Sequence, residues 1–173
     1  MELWKRQIRL AQYMLLGMVI ITVLNLAFLL GNSDMYISYS AALPYYLVWL
    51  GKIFDNGWYL GPVNDQYTAT GLVMAGVLLA VLLVLWWLAK GSRRWLKIGM
   101  WVIITDLAVL VVLAFVVFSN PVSCFWEAAI HVAVIWEMRQ GLKAWKQLDD
   151  HLDRMQQAQE EQETQQAQEA GIL

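Results

Sequence analysis

Two stretches of this chain, residues 10–33 and 66–89, run for 24 positions each without a charged residue, and a third, residues 98–126, is interrupted only by Asp106. A bilayer core about 30 Å thick takes about 20 apolar residues of helix at 1.5 Å per residue, so runs of this length read as membrane spans rather than core helices. Composition agrees. Of the 173 residues, 60% are apolar and 15% charged, where soluble domains average about 45–50% and about 25%. That balance excludes a water-soluble enzyme, a secreted disulfide scaffold and a nucleic-acid-binding domain with a basic face. Cys124 is the only cysteine, so the chain has no internal disulfide framework.

The expected fold class is all-α, a four-transmembrane-helix bundle over residues 1–146 followed by a tail at 147–173. The spans are expected at 10–30, 70–89, 97–118 and 122–142, with a long connection at 31–69. Gly31-Asn32-Ser33 closes the first, Lys90-Gly91-Ser92 the second, and Ser119-Asn120-Pro121 turns between the third and fourth. Lys5, Arg6 and Arg9 precede the first run as in a signal peptide, but that run exceeds the roughly 7–15 residues of an h-region and no small-residue cleavage site follows. An uncleaved anchor is therefore expected.

Basic residues flanking spans are retained on the cytoplasmic side. Lys5, Arg6 and Arg9, then Lys90, Arg93, Arg94 and Lys97, then Arg139, Lys143, Lys146 and Arg154 fall on one side, and Lys52 alone on the other. Both termini are thus expected in the cytoplasm of a plasma-membrane protein, with 31–69 outside.

The outer connection is aromatic. It contains Tyr36, Tyr39, Tyr45, Tyr46, Trp49, Phe54, Trp58, Tyr59 and Tyr67 around an apolar stretch, residues 41–50, that includes Pro44. Ten residues cannot cross a bilayer, so this stretch either lies along the outer interface or re-enters the membrane, and Gly57, Gly61 and Pro62 turn the chain back. It reads either as an aromatic belt or as a lid over an entrance. The tail differs again: residues 147–173 carry a net charge of −6, against +4 for residues 1–146. Trp145, Leu148, Leu152 and Met155 have the 3-4-3 spacing of a short coiled-coil seam, while the Gln- and Glu-rich run beyond 156 has helix propensity but no apolar face.

Ionisable and amide side chains inside a span are costly and are candidates for function. Here they are Asn25, Asp106, Glu127, His131 and Glu137. By helix rise Asp106 and His131 both fall near mid-membrane, where they can meet, and Asn25 falls at the depth of Glu127. Two polar layers are expected, Asp106–His131 and Asn25–Glu127, serving either as interhelical fasteners or as a proton or ion relay. Glu137 points away from that face. No zinc motif, serine-nucleophile motif or cofactor box is present, so neither an enzyme nor a cofactor is expected. Gly71 and Ala75 form a small-xxx-small pair for close helix packing.

Asn25-Leu26, the Gly31-Asn32-Ser33 exit and the run Tyr39-Ser40-Ala41-Ala42-Leu43-Pro44-Tyr45-Tyr46-Leu47 resemble small multi-pass membrane proteins of Gram-positive bacteria that have no assigned function. The likeness spans residues 25–50. It implies a bacterial plasma membrane and carries over no functional residue. The function expected is that of a non-enzymatic accessory or scaffold subunit that meets the bilayer and, through its tail or outer segment, a protein partner. The alternative is a small transporter or ion-translocating protein, built as a homo-oligomer and using Asp106, Glu127 and His131. Nucleic acid is not an expected partner.

Overall fold

The computed structural model of the chain describes residues 1–33, 35–56, 66–116 and 124–169. Among them the structure is all-helical: α1 (Glu2–Leu30), α2 (Ala42–Asp55), α3 (Gln66–Ala89), α4 (Arg93–Val116) and α5 (Phe125–Glu169). Three helices are long and apolar enough to cross a membrane, namely α1, α3 and α4 up to Phe115. α3 makes the point most plainly. Gly71, Ala75, Leu79 and Leu82 face the protein, yet the opposite side is equally apolar, with Val73 68% and Trp87 65% exposed. A helix without a polar side is suited to hydrocarbon on its outer face, not water.

Packing follows from where small residues allow backbones to approach. α2 runs antiparallel against α3: a Cβ added at Gly51 would stand 2.6 Å from the Tyr67 carbonyl oxygen, and one at Gly71 2.6 Å from that of Leu47. Only glycine fits at such a crossing. α1 packs along α5 and α3, and α4 packs between α3 and α5. The largest core combines Ala11, Leu15, Met18 and Val19 of α1 with Leu79 and Leu82 of α3, Leu96 and Ile103 of α4, and Val134 and Met138 of α5.

Helix ends are closed by specific groups. At the end of α1, Asn32 takes a left-handed φ of 54°, the Ser33 N–H donates to the Phe28 carbonyl at 2.9 Å, and the Asn32 N–H donates to Leu29 at 3.3 Å. This is a Schellman stop with asparagine at the left-handed position. Lys52 completes it by donating to the Leu29 carbonyl and to Asn32 Oδ1, both at 2.7 Å. The Lys52 cation thus sits at the negative end of the α1 dipole. Ser92 begins α4, its Oγ accepting the Arg94 N–H at 3.3 Å. Gln12 of α1 donates to the Ala89 carbonyl at 2.9 Å and closes α3.

Several expected boundaries move. α1 begins at Glu2 and α4 at Arg93, ahead of the apolar runs, because Lys, Arg and Glu are good helix formers and a helix need not stop at the hydrocarbon edge. The last helix continues without a break to Glu169, although the expected seam is not covered: Leu152 and Met155 are each 45% exposed. The helix still meets α1 as far as His151, whose ring stands edge-on to Trp4 at 5.7 Å. Gly57, Trp58, Tyr59, Gly61, Pro62, the Ser119-Asn120-Pro121 turn and the last four residues lie outside the described residues.

Candidate functional site

The starting problem is the N-terminus of α2. The first N–H groups of any helix lack intrahelical partners, and here they lie among α1, α4 and α5 rather than in water. The chain satisfies each in turn. The Ala41 N–H donates to Thr22 Oγ1 at 2.7 Å, and Thr22 in turn donates to the Met18 carbonyl at 2.6 Å. The Ala42 N–H donates to Asp106 Oδ2 and the Leu43 N–H to Asp106 Oδ1, both at 2.7 Å. The next residue is Pro44, which has no N–H to satisfy. A proline in the first turn and a carboxylate at the positive end of the dipole suit a helix that starts in an apolar interior.

Asp106 also meets His131, with Nε2 2.9 Å from Oδ2. The other ring nitrogen, Nδ1, lies 2.8 Å from the Glu127 backbone carbonyl, and because a carbonyl only accepts, Nδ1 must be the donor there. One proton then lies between Nε2 and Oδ2. The Asp106–His131 unit is electrically neutral whichever atom holds that proton, which is how two ionisable groups, His131 fully buried and Asp106 7% exposed, avoid leaving net charge in hydrocarbon.

Glu127 lies one helical turn before His131 and is likewise buried. Its carboxylate accepts from Tyr36 Oη on one oxygen and from Tyr46 Oη on the other, the latter at 3.1 Å. Burial, reinforced by the negative charge of Glu127, pushes both phenols well above their ordinary value, so they stay protonated and act as donors. With the Tyr36 proton committed to Glu127, Ser40 Oγ donates to Tyr36 Oη at 3.2 Å.

Asn25 does something else. Its amide nitrogen donates to the Ile37 carbonyl at 2.7 Å and its oxygen accepts the Ile37 N–H at 2.9 Å, the pattern a neighbouring strand would provide. The expected Asn25–Glu127 layer is therefore not formed. The amide is spent on backbone that has no helix of its own, and Glu127 on two tyrosines. Tyr39 goes deeper, donating to the Met14 carbonyl at 3.0 Å with its ring against Gly17; burial pushes its phenol up to about 12.

Of the residues singled out in the sequence, Asp106, His131, Glu127 and Tyr46 converge around the α2 start, and Pro44 forms part of its first turn. Tyr45 lies between Tyr36, tilted at 4.8 Å, and Tyr46, edge-on at 5.3 Å, and Trp49 lies edge-on to Tyr46 at 6.2 Å. Glu137 is half-buried and forms no ion pair among the described residues. Thr22, Tyr36 and Ser40 belong to the cluster without having been singled out for it, and Gln12 and Asp55 do similar work elsewhere. Asp55, at the end of α2, accepts the N–H of Tyr67 at 3.1 Å and of Thr68 at 2.6 Å, and so caps α3. Burial raises its carboxyl, but the hydrogen bonds from Thr68 and Tyr67 outweigh it and hold the group below the usual carboxylate value.

The cluster is closed. Among the described residues, Trp86 Nε1 is the one buried side-chain nitrogen or oxygen without a hydrogen-bond partner, and no group of three or more His, Cys, Asp or Glu side chains converges as a metal-binding set. Comparison of the chain with protein-family models, with curated proteins and with solved structures finds no match.

Proposed function

We propose that the chain is a non-enzymatic integral membrane protein with four spans, an accessory or scaffold subunit of a membrane complex, whose buried polar cluster is structural. The observation that carries this reading is saturation: both oxygens of Asp106, both oxygens of Glu127 and both ends of the Asn25 amide are occupied by donors or acceptors of the chain itself. A relay needs groups free to exchange protons with water or substrate. These groups instead hold α2 and the segment before it inside the bundle.

The first part of α5 serves as the fourth span. Its inner side buries His131, Val134 and Met138, while Trp126, Val132 and Trp136 face outward 70%, 56% and 58% exposed, an apolar surface suited to lipid. Glu127 alone would be expensive there, and the two tyrosine donors relieve that cost. α2 is re-entrant. Thr22 is eight residues below the end of α1 and Asp106 ten below the end of α4, so α2 starts about 12–15 Å inside the outer rim. It rises to that rim, where Lys52 meets the end of α1 and Asp55 the start of α3. Backbone at such depth is tolerated only where protein satisfies it. The basic residues put both termini in the cytoplasm, and the resemblance of residues 25–50 points to a bacterial plasma membrane. Beyond His151, α5 is exposed through the described side chains up to Gln168 and rich in Gln and Glu, which supports a cytoplasmic docking helix.

The test is in-cell crosslinking, purification in mild detergent and native mass spectrometry, with and without residues 156–173. A second subunit at fixed stoichiometry, lost on deletion of the tail or on replacement of the outer aromatics, is the expected result. A homo-oligomer with no other subunit would overturn it.

One observation favours a second reading, ion translocation by a homo-oligomer: the proton shared by Asp106 and His131 at 2.9 Å in the middle of the bundle. It predicts proton-coupled flux in proteoliposomes that Asp106→Asn and His131→Ala abolish. Absence of flux in the parent protein removes it.

A further inference from the structure

Between α3 and α4, beneath the start of α2, lies a cavity of about 350 Å³. Leu78 and Val81 of α3 and Ile98, Trp101 and Thr105 of α4 form its walls, with Pro44 at its upper end. Its mouth faces outward, since Val81 is 46%, Ile98 42% and Trp101 56% exposed. In the membrane reading that face meets lipid. A volume of this size is too narrow for a helix about 10 Å across and has almost nothing to hydrogen-bond: Thr105 Oγ1 already donates to the Trp101 carbonyl at 3.0 Å, and Asp106, which also lines it, has both oxygens taken by Ala42, Leu43 and His131. Hydrocarbon chain fits both the shape and the chemistry.

The rim of the same groove is cationic. Positions 94, 97, 98, 101 and 105 follow the i, i+3, i+4, i+7, i+11 spacing of one helix face, so Arg94 and Lys97 stand directly below the cavity wall. Both are exposed, and among the described residues neither pairs with a carboxylate. Across the mouth, Lys90 sits 3.7 Å above the Trp86 ring at the end of α3. From Lys97 to Thr105 is about 12 Å of helix, the reach of an acyl chain whose headgroup stays at the interface.

We infer that this groove binds one anionic phospholipid of the inner leaflet, its phosphate on Arg94 and Lys97 and an acyl chain in the cavity. Basic rims between spans on the cytoplasmic side recognise anionic headgroups in this way, whereas a zwitterionic lipid gains no net attraction from two cations. The inference rests on the orientation proposed above, with the Arg93 end of α4 in the cytoplasm.

The test uses the full-length protein in phosphatidylcholine vesicles containing phosphatidylglycerol, with a photoactivatable diazirine on the acyl chain of one lipid or the other, and crosslinks mapped by mass spectrometry. The anionic probe is expected to label Leu78, Val81, Trp101 and their neighbours roughly 25-fold more than the zwitterionic probe at equal mole fraction. Arg94→Gln with Lys97→Gln should weaken that labelling roughly 25-fold, at about 1 kcal/mol for each basic residue and 1.4 kcal/mol per tenfold. Val81→Trp should remove it by filling the cavity, and the charge variants, being at the surface, keep the test valid if the filled variant misfolds. Equal labelling by both probes, labelling elsewhere on the bundle, or labelling indifferent to the two cations would overturn the site. Arg94→Cys, probed in the same vesicles with an impermeant maleimide from each side, reports the orientation separately, so failure of the topology is distinguished from failure of the lipid site.

Discussion

Asp106 is the residue on which the interior turns, because its carboxyl group accepts two backbone N–H groups of α2 and shares a proton with His131 of α5. Asp106→Ala strands two backbone N–H groups and the His131 ring in an apolar interior, and should cost about 3–5 kcal/mol, read as thermal unfolding of the purified protein in detergent. Thr22→Val strands only the Ala41 N–H and should cost about 1–3 kcal/mol; equal unfolding temperatures for the two variants and the parent would remove the role assigned to the cluster. Asp55 supplies a pH prediction. Its folded value is lowered, so its contribution is complete above the ordinary carboxyl value of about 3.9 and is lost only as pH falls through the lowered one. Protection of the Tyr67 and Thr68 amides, corrected for intrinsic exchange, should therefore stay constant from pH 8 to 5, and Asp55→Ala should abolish it. At this scale the ionisable residues were legible because charge stands out against an apolar run. Thr22, Tyr36, Ser40 and Gln12 were not, since hydroxyls and amides are unremarkable in such runs and what they serve is often backbone.

At the scale of the element, α2 behaves as the partner of α3. Gly71 and Gly76 are both glycines of α3, and the sequence pattern pairs Gly71 with Ala75 for close packing; a Cβ at Gly71 collides with Leu47 backbone while one at Gly76 meets nothing within 4 Å. Gly71→Val should destabilise the protein by 1–3 kcal/mol or more, about the cost of overpacking, and expose a cysteine placed at Ala42 to alkylation. Gly76→Val should change neither. The same contrast explains why the 41–50 stretch left two readings open: its length forbids crossing, but lying flat and dipping inward have the same hydropathy. The acceptors that meet its first N–H groups, Thr22 of α1 and Asp106 of α4, support the inward-dipping reading proposed above.

For the whole molecule, the two ends of α5 have different duties. One face of its first half packs against α1 and α4, and its second half, from Leu152, is exposed. Removing residues 156–173 should leave the unfolding transition of the bundle within about 0.5 kcal/mol of the parent, as expected for a change remote from the core, while any cytoplasmic partner is released. A large loss of stability on that deletion would mean that the tail packs on the bundle after all.

What the residues alone determined is the helical class, three of the four expected spans as long apolar helices among the described residues, and Asp106, Glu127 and His131 as buried ionisable groups, because the cost of charge in hydrocarbon acts position by position and can be read along a line. Which donor meets which acceptor was decided only by the tertiary structure. Asn25 was free in principle to meet Glu127 and instead took Ile37, since a backbone segment without its own hydrogen bonds has no water to turn to at that depth. Satisfaction of buried polar groups is a property of the whole assembly, settled by which elements come within 3 Å of one another, and no single run of residues encodes it.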